Sequence, residues 1–129
     1  MKIICIGRIK ENFMEKSIKK KSKNIEIIEL KNEKISSNPN ISEIKKVIEI
    51  EGENILKKIQ RDYVVALCVE GKEVTLEEFE RIKSKNPTFI IGGSYGLSEQ
   101  VKNRADEKIS FSKMTFPHQL MRLVLVESL

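Results

Sequence analysis

Two short stretches of this 129-residue chain combine residue types suited to binding a small ligand. The first is a glycine-rich turn, residues 92–96 (GGSYG), which directly follows an apolar run. Glycines permit positive φ angles and let backbone N–H and C=O groups approach a ligand closely. The turn lacks the Lys-Ser/Thr pair of a P-loop and follows a late strand, so neither an NTPase nor an ordinary dinucleotide fingerprint is indicated. For this turn alone, a purely structural role is an equally good interpretation.

The second stretch is the loop 111–119 (FSKMTFPHQ), which places two aromatic side chains, a methionine and hydroxyl groups before a helix start. This mixture suits a flat heterocycle held by apolar walls and backbone hydrogen bonds. The single histidine of the chain, His118, either assists proton transfer here or makes a structural hydrogen bond. Arg122, on the helix that follows, is a candidate contact to RNA phosphate or to a partner subunit.

Apolar runs alternate with amphipathic segments along the whole chain and predict the elements that position these stretches. The predicted strands are residues 2–7, 24–30, 63–69, 88–91 and 108–111. The predicted helices begin at residue 12, span 41–59 and 75–83, follow Ser98, and span 118–129. This alternation predicts an α/β fold, a mostly parallel sheet with helices on both faces. Both ligand-binding candidates and the end of strand 63–69 then meet at the carboxyl edge of the sheet, where such folds bind ligands.

Composition favours one compact domain, because 40% of the residues are hydrophobic and 33% are charged. No apolar stretch approaches the roughly 20 residues of a membrane span, so we expect a soluble, cytoplasmic protein without a membrane partner. Cys5 and Cys68 lie in apolar runs and belong to no Cys/His cluster. They are therefore predicted to be free thiols, and no metal site is expected.

The net charge of +5 is concentrated at the start of the chain. Residues 1–24 contain eight Lys or Arg against two Glu, and most of these cations fall on the predicted first helix. A basic patch of this kind attracts polyanions such as RNA. A solvated, lysine-rich helix face is the competing interpretation.

The motifs in order resemble those of one known family, the RlmH (YbeA-type) family of SPOUT-class RNA methyltransferases. The resemblance is carried by FIIGGSYGL (residues 89–97) and FSKMTFPHQLMRLVLVE (residues 111–127). The opening KIICIGRIKE (residues 2–11) and VEGKE (residues 69–73) fit the family as well. The resemblance spans nearly the whole chain, and its motifs are specific in type, order and spacing.

This resemblance implies a SPOUT-like α/β domain with a C-terminal deep trefoil knot, and a homodimer with the site near its interface. It also implies an enzyme that transfers a methyl group from S-adenosyl-L-methionine to N3 of a pseudouridine. The target implied is helix 69 of bacterial 23S rRNA, the large-subunit rRNA, in the assembled ribosome.

Residue by residue, the resemblance assigns cofactor contacts to all three segments at the sheet edge. These contacts are Leu67, Gly92, Phe111, Ser112, Lys113, Met114, Thr115 and Phe116. His118 and Arg122 are candidate substrate contacts on the ground of their residue types and position, not of the resemblance. Tyr95 and Leu97 either flank the target base or pack within the fold.

The family's final helix continues past the residue matching Glu127 into an aromatic and Arg-containing stretch and a basic tail, whereas this sequence stops at Leu129. We therefore expect residues 1–129 to be a single SPOUT-type domain lacking that tail, and we assign no catalytic residue. A non-catalytic ribosome-binding or assembly factor with the same fold is the alternative function.

Overall fold

The computed structural model describes residues 1–8, 16, 24–112, 114 and 117–129, with the side chains of residues 118 and 119 left out. The helix predicted to begin at residue 12 lies outside the described residues except for Lys16, which is helical and exposed. The described strands are β1 (Lys2–Ile6), β2 (Glu26–Leu30), β3 (Val64–Glu73), β4 (Thr88–Ile91) and β5 (Glu107–Ser110). The described helices are α1 (Ile41–Leu56), α2 (Leu76–Lys83), α3 (Glu99–Arg104) and α4 (His118–Ser128).

The five strands form one sheet in the order β2-β1-β4-β3-β5, and every pairing is parallel. The predicted parallel α/β sheet is thus confirmed. Alternate residues of each strand face opposite sides, so Ile3 and Cys5 of β1 join one core cluster while Ile4 and Ile6 join the other. The first cluster is covered by α2 and α4, and the second by α1 and α3, which places helices on both faces.

Side-chain caps begin three of the helices where the sequence predicts them. Asn40 Oδ1 accepts a 2.8 Å hydrogen bond from Glu43 N, and Thr75 Oγ1 accepts one of 3.1 Å from Glu78 N. Ser98 Oγ likewise accepts a 3.2 Å bond from Val101 N. Each cap satisfies a backbone donor that has no partner inside its helix.

Several predicted boundaries differ from the structure by one to four residues. The α1 helix ends at Leu56 rather than at residue 59, because N–H groups 58 and 59 bond three residues back in a tightened final turn. The β5 strand begins and ends one residue earlier than predicted. The β3 strand continues to Glu73 rather than ending at residue 69. Its pairing with β5 is interrupted between Leu67 and Lys72 and resumes at Lys72.

Candidate functional site

The carboxyl edge of the sheet contains a cavity of about 790 Å³ formed by three segments distant in sequence. These segments are residues 67–70 at the irregularity of β3, residues 91–97 after β4, and residues 109–112 with Met114 after β5. Pro117 and Met121 at the start of α4 close another side. Parallel strands bring their carboxyl ends to one edge, and for this reason three separate loops share a single cavity.

The glycine turn after β4 is folded tightly upon itself. Gly96 has φ +89° and its N–H donates a 3.1 Å hydrogen bond to the Gly93 carbonyl. A Cβ on Gly92 would lie 2.8 Å from the Gly96 carbonyl carbon and oxygen, and 2.9 Å from Leu97 Cδ2. A side chain at position 92 would therefore collide first with the turn itself, and only glycine permits this close approach.

The loop after β5 is organised by two serine hydroxyls. Ser110 Oγ donates a 2.6 Å hydrogen bond to the Ser112 carbonyl, and Ser112 Oγ accepts one of 3.0 Å from Met114 N. The Phe111 ring meets Phe79 of α2 edge to face, with centroids 5.5 Å apart. These contacts fix the backbone of the loop where it borders the cavity.

Five of the eight predicted cofactor contacts line this one cavity: Leu67, Gly92, Phe111, Ser112 and Met114. The other three, Lys113, Thr115 and Phe116, lie outside the described residues. The structure thus places the described members of the predicted set together, although their role toward a cofactor stays a prediction.

The two predicted substrate contacts have different outcomes. The side chain of His118 lies outside the described residues. Arg122 is only 1% exposed, and its guanidinium donates to Glu29 Oε2 at 2.6 Å and to the Gly7 carbonyl at 2.8 Å. This position differs from the expected phosphate contact, because a guanidinium buried among acceptors of its own chain is not open to RNA.

Tyr95 of the glycine turn and Leu97, which follows the turn, differ in their exposure to solvent. Leu97 is 7% exposed and packs in the core cluster beneath α1 and α3, in agreement with the packing interpretation. Tyr95 lines the cavity and is 43% exposed. Val69 and Met114 also line it and are 60% and 66% exposed. The mouth of the cavity therefore has an apolar rim open to a further molecule.

Two charged residues that sequence reasoning missed also border the cavity. Glu70 lies within the irregularity of β3, and its carboxylate forms an ion pair with the Lys102 ammonium of α3. The Lys102 hydrogen bond lowers the pKa of Glu70, and the same bond raises the pKa of Lys102. No sequence signal joins two residues on different elements, although VEGKE had marked the segment that holds Glu70.

Two further titratable side chains, Glu51 and Cys68, lie beside the glycine turn and in the cavity lining respectively. Glu51 of α1 is 5% exposed, accepts a 3.1 Å hydrogen bond from Glu33 N, and lies against Gly93. Burial raises the pKa of this carboxyl group. Cys68 lines the cavity as a free thiol, and burial is the main cause that raises its pKa. A thiol with a raised pKa is a poor nucleophile, so Cys68 contributes shape rather than reactivity.

Neither a metal-ligand cluster nor a membrane-spanning helix occurs among the residues that the structure describes. In the part of the chain that the structure describes, no three His, Cys, Asp or Glu side chains are grouped as a metal site would need. None of the described helices has the length and hydropathy needed to cross a membrane.

The fold and the cavity together define an α/β protein with a cavity of small-molecule size at the carboxyl edge of a parallel sheet. The family model described as "Predicted SPOUT methyltransferase" matches residues 1–129, and the chain belongs to this methyltransferase family. It is 48% identical over 143 aligned residues to "Ribosomal RNA large subunit methyltransferase H 2" of Caldanaerobacter subterraneus subsp. tengcongensis, covering 100% of this chain and 95% of the relative. It is 46% identical over 143 residues to "Ribosomal RNA large subunit methyltransferase H" of Streptococcus pneumoniae, covering 100% and 90%.

Proposed function

We propose that this chain is an S-adenosyl-L-methionine-dependent rRNA methyltransferase. Its proposed substrate is N3 of a pseudouridine in helix 69 of bacterial 23S rRNA, in the assembled ribosome of the cytoplasm. The observation that supports this most is the single cavity, because it gathers the same three segments whose motifs resemble those of the family. The printed names of the relatives support rRNA as the substrate class.

The residues around the cavity fit the proposed cofactor in size and chemistry. Its volume of about 790 Å³ lies within the range of small-molecule sites, roughly 300–1,000 Å³. Leu67, Ile91 and Ile109 provide apolar walls for an adenine ring, and the backbone of the glycine turn and of residues 110–112 provides polar groups beside them. Leu67, Gly92, Phe111, Ser112 and Met114 are the described residues that would hold the cofactor.

The chemistry requires little from the side chains beyond alignment. When bound, S-adenosylmethionine supplies an electrophilic sulfonium methyl; N3 gains this methyl and loses its proton, and the sulfur becomes a neutral thioether. The chain's own loops would hold donor and acceptor in line, which lowers the entropic part of the barrier. Tyr95 at the rim would stack on the target base, since it is exposed and aromatic.

Three structural features belong to the same proposal: a single SPOUT-type domain over residues 1–129, a deep trefoil knot and a homodimer. The knot is proposed from the family resemblance; the structure adds that α4, which follows edge strand β5 in the chain, places Arg122 against β1 and β2. A crystal structure that traced residues 110–129 without threading through a loop would contradict it. The basic segment 1–24 would add phosphate contacts to the RNA.

Calorimetric titration with S-adenosylmethionine, followed by methyl transfer to ribosomes that lack the methyl group, tests the function. We expect binding, and mass spectrometry should locate one added methyl on the pseudouridine of helix 69. Binding without transfer would instead indicate the non-catalytic ribosome factor. A folded protein that binds nothing at millimolar ligand would contradict the proposal.

A pair of variants tests the placement of the cofactor. Gly92→Ala should lose binding, because its Cβ would collide with the Gly96 backbone and distort the turn. Ser94→Ala is the matched control, since Ser94 is exposed in the same turn and alanine keeps its backbone. If Gly92→Ala bound as tightly as wild type, the turn would not be part of the cofactor site.

A further inference from the structure

The ion pair between Glu70 and Lys102 provides the only charged side chains among the described residues that line the cavity. The Glu70 side chain is 51% exposed and that of Lys102 is 18% exposed. The pair therefore lies at the boundary between the cavity and solvent, whereas the apolar walls lie deeper. A half-exposed ion pair contributes little to stability, so its place at the cavity needs another explanation.

The backbone around Glu70 packs closely against strand β5. Residues 68–71 lie between the two registers in which β3 pairs with β5. A Cβ on Gly71 would lie 2.5 Å from the Ile109 carbonyl carbon. Only glycine allows this approach, and the resulting irregularity releases residues 68–70 from the ladder and leaves them lining the cavity.

Lys102 holds the Glu70 carboxylate in one orientation. Its ammonium forms an ion pair with that carboxylate, and their hydrogen bond lowers the pKa of the carboxyl group. A glutamate carboxylate is ionised at neutral pH and only accepts hydrogen bonds. Glu99, the other carboxylate near Lys102, is 3.7 Å from the ammonium and lies outside the cavity lining. Glu70 is consequently an oriented acceptor at the border of the cavity.

We propose that Glu70, oriented by Lys102, accepts hydrogen bonds from the ribose hydroxyls of the bound cofactor. This inference rests on the proposed function, which supplies an adenosyl ligand. An adenine ring held by the apolar walls would leave the attached ribose nearer the solvent boundary, where Glu70 lies. Carboxylates that follow a strand of an α/β sheet bind ribose hydroxyls in dinucleotide-binding folds by the same chemistry. Glu70 is thus a specificity residue for a ribonucleoside, and Lys102 is a positioning residue.

The test measures, by calorimetry, the affinity of three ligands for wild type, Glu70→Ala and Lys102→Met. The ligands are S-adenosylhomocysteine, its 2′,3′-dideoxy analogue, and its analogue lacking the α-amino group. Glu70→Ala should weaken binding of S-adenosylhomocysteine about tenfold and leave binding of the dideoxy analogue unchanged, because that analogue has no ribose hydroxyl to donate a hydrogen bond to Glu70. Lys102→Met should show the same pattern with a smaller loss, since the carboxylate remains but is no longer oriented.

Glu99→Gln is the matched control, because it removes a carboxylate from the same lysine but not from the cavity, and its affinities should equal those of wild type. Thermal melting should show all variants folded. A loss confined to ligands that carry the amino group would show that Glu70 faces the amino-acid tail, and this would overturn the proposal. Equal affinities for wild type and Glu70→Ala would also overturn it. Wild type that binds neither S-adenosylmethionine nor S-adenosylhomocysteine would instead refute the proposed function itself.

Discussion

The Arg122 guanidinium of the last helix donates a 2.6 Å hydrogen bond to the Glu29 carboxylate of edge strand β2, across 93 residues of sequence. The same guanidinium donates to the Gly7 carbonyl at 2.8 Å. Of the buried side-chain nitrogens and oxygens that the structure describes, only Arg122 Nε has no hydrogen-bond partner. One side chain therefore joins α4 to the ends of β1 and β2, beside the glycine turn.

Replacing Arg122 with methionine should lower the free energy of unfolding by about 2–4 kcal/mol, because buried carbonyl acceptors lose their donor. Arg122→Lys should recover little of this, since one ammonium cannot replace a planar fork of donors. Glu29→Gln should cost less, because Glu29 is 39% exposed and its amide oxygen can still accept. Urea unfolding at one fixed protein concentration measures all three. Equal stability of wild type and Arg122→Met would show that this contact contributes nothing.

Gly52→Ala should destabilise the protein by about 1–3 kcal/mol through overpacking. A Cβ on Gly52 would lie 2.8 Å from Ser98 Cβ and closer still to Ser98 Oγ, where α1 meets the N-cap of α3. Because Ser98 lies two residues after the glycine turn, cofactor affinity should fall as well. Thermal melting and calorimetry provide the measurements. Glu53→Ala, on the exposed side of the same helix, is the control and should change neither quantity.

Part of the stability should depend on pH through Cys5. Burial raises the pKa of its thiol from 9.0 to about 11, and the nearby Arg122 charge offsets only part of this rise. The unfolded thiol ionises above pH 9 while the folded thiol keeps its proton, so stability is retained below pH 9 and falls as the pH rises toward 11. The two pKa values correspond to a loss of about 2–3 kcal/mol at the upper end.

Urea unfolding of wild type and Cys5→Ala at several pH values from 8 to 11 isolates this contribution. The variant should be less stable below pH 9 because of the space it leaves, but its stability should decline less steeply above pH 9. Parallel curves for the two proteins would contradict the assignment.

The apolar surface of α4 should form a homodimer contact. Leu125 and Val126 are buried in the sheet's own core, whereas Leu120 and Val124 are only half-buried and lie one turn apart on another face. Val124→Glu should convert a dimer to a monomer in sedimentation at micromolar concentration, because a charge there cannot be desolvated cheaply. Ile41→Glu is the control, since Ile41 is an equally aliphatic helix residue with 86% exposure. A wild-type monomer would refute the contact.

Tyr95 should affect RNA use without affecting the cofactor. Tyr95→Ala should raise the KM for ribosomes about tenfold, matching roughly 1.4 kcal/mol of lost base stacking, while S-adenosylmethionine affinity stays the same. Tyr95→Phe keeps the ring and should behave as wild type. A change in S-adenosylmethionine affinity with an unchanged KM for ribosomes would contradict this prediction, because Tyr95 would then contact the cofactor rather than the RNA.

The sequence by itself determined the elements, the parallel sheet and most of the segments at its carboxyl edge. Apolar runs such as residues 63–69 report burial directly, and an Asn, Thr or Ser placed before an apolar repeat caps a helix through contacts within one turn. These signals are local, so a single chain is enough to read them. The resemblance then assigned eight cofactor contacts, and the five of them that the structure describes line one cavity.

Only the tertiary structure decided which charges meet. The sequence made Arg122 a candidate RNA contact, but the packing of α4 buries it beside Glu29. No role for Glu70 followed from the sequence, whereas the structure pairs it with Lys102 of α3. Burial and pairing of a charge depend on neighbours far apart in sequence, and no local periodicity encodes them. The same holds for Gly52 and Gly71, whose need for glycine arises from contacts with Ser98 and with the Ile109 backbone rather than from any turn of their own.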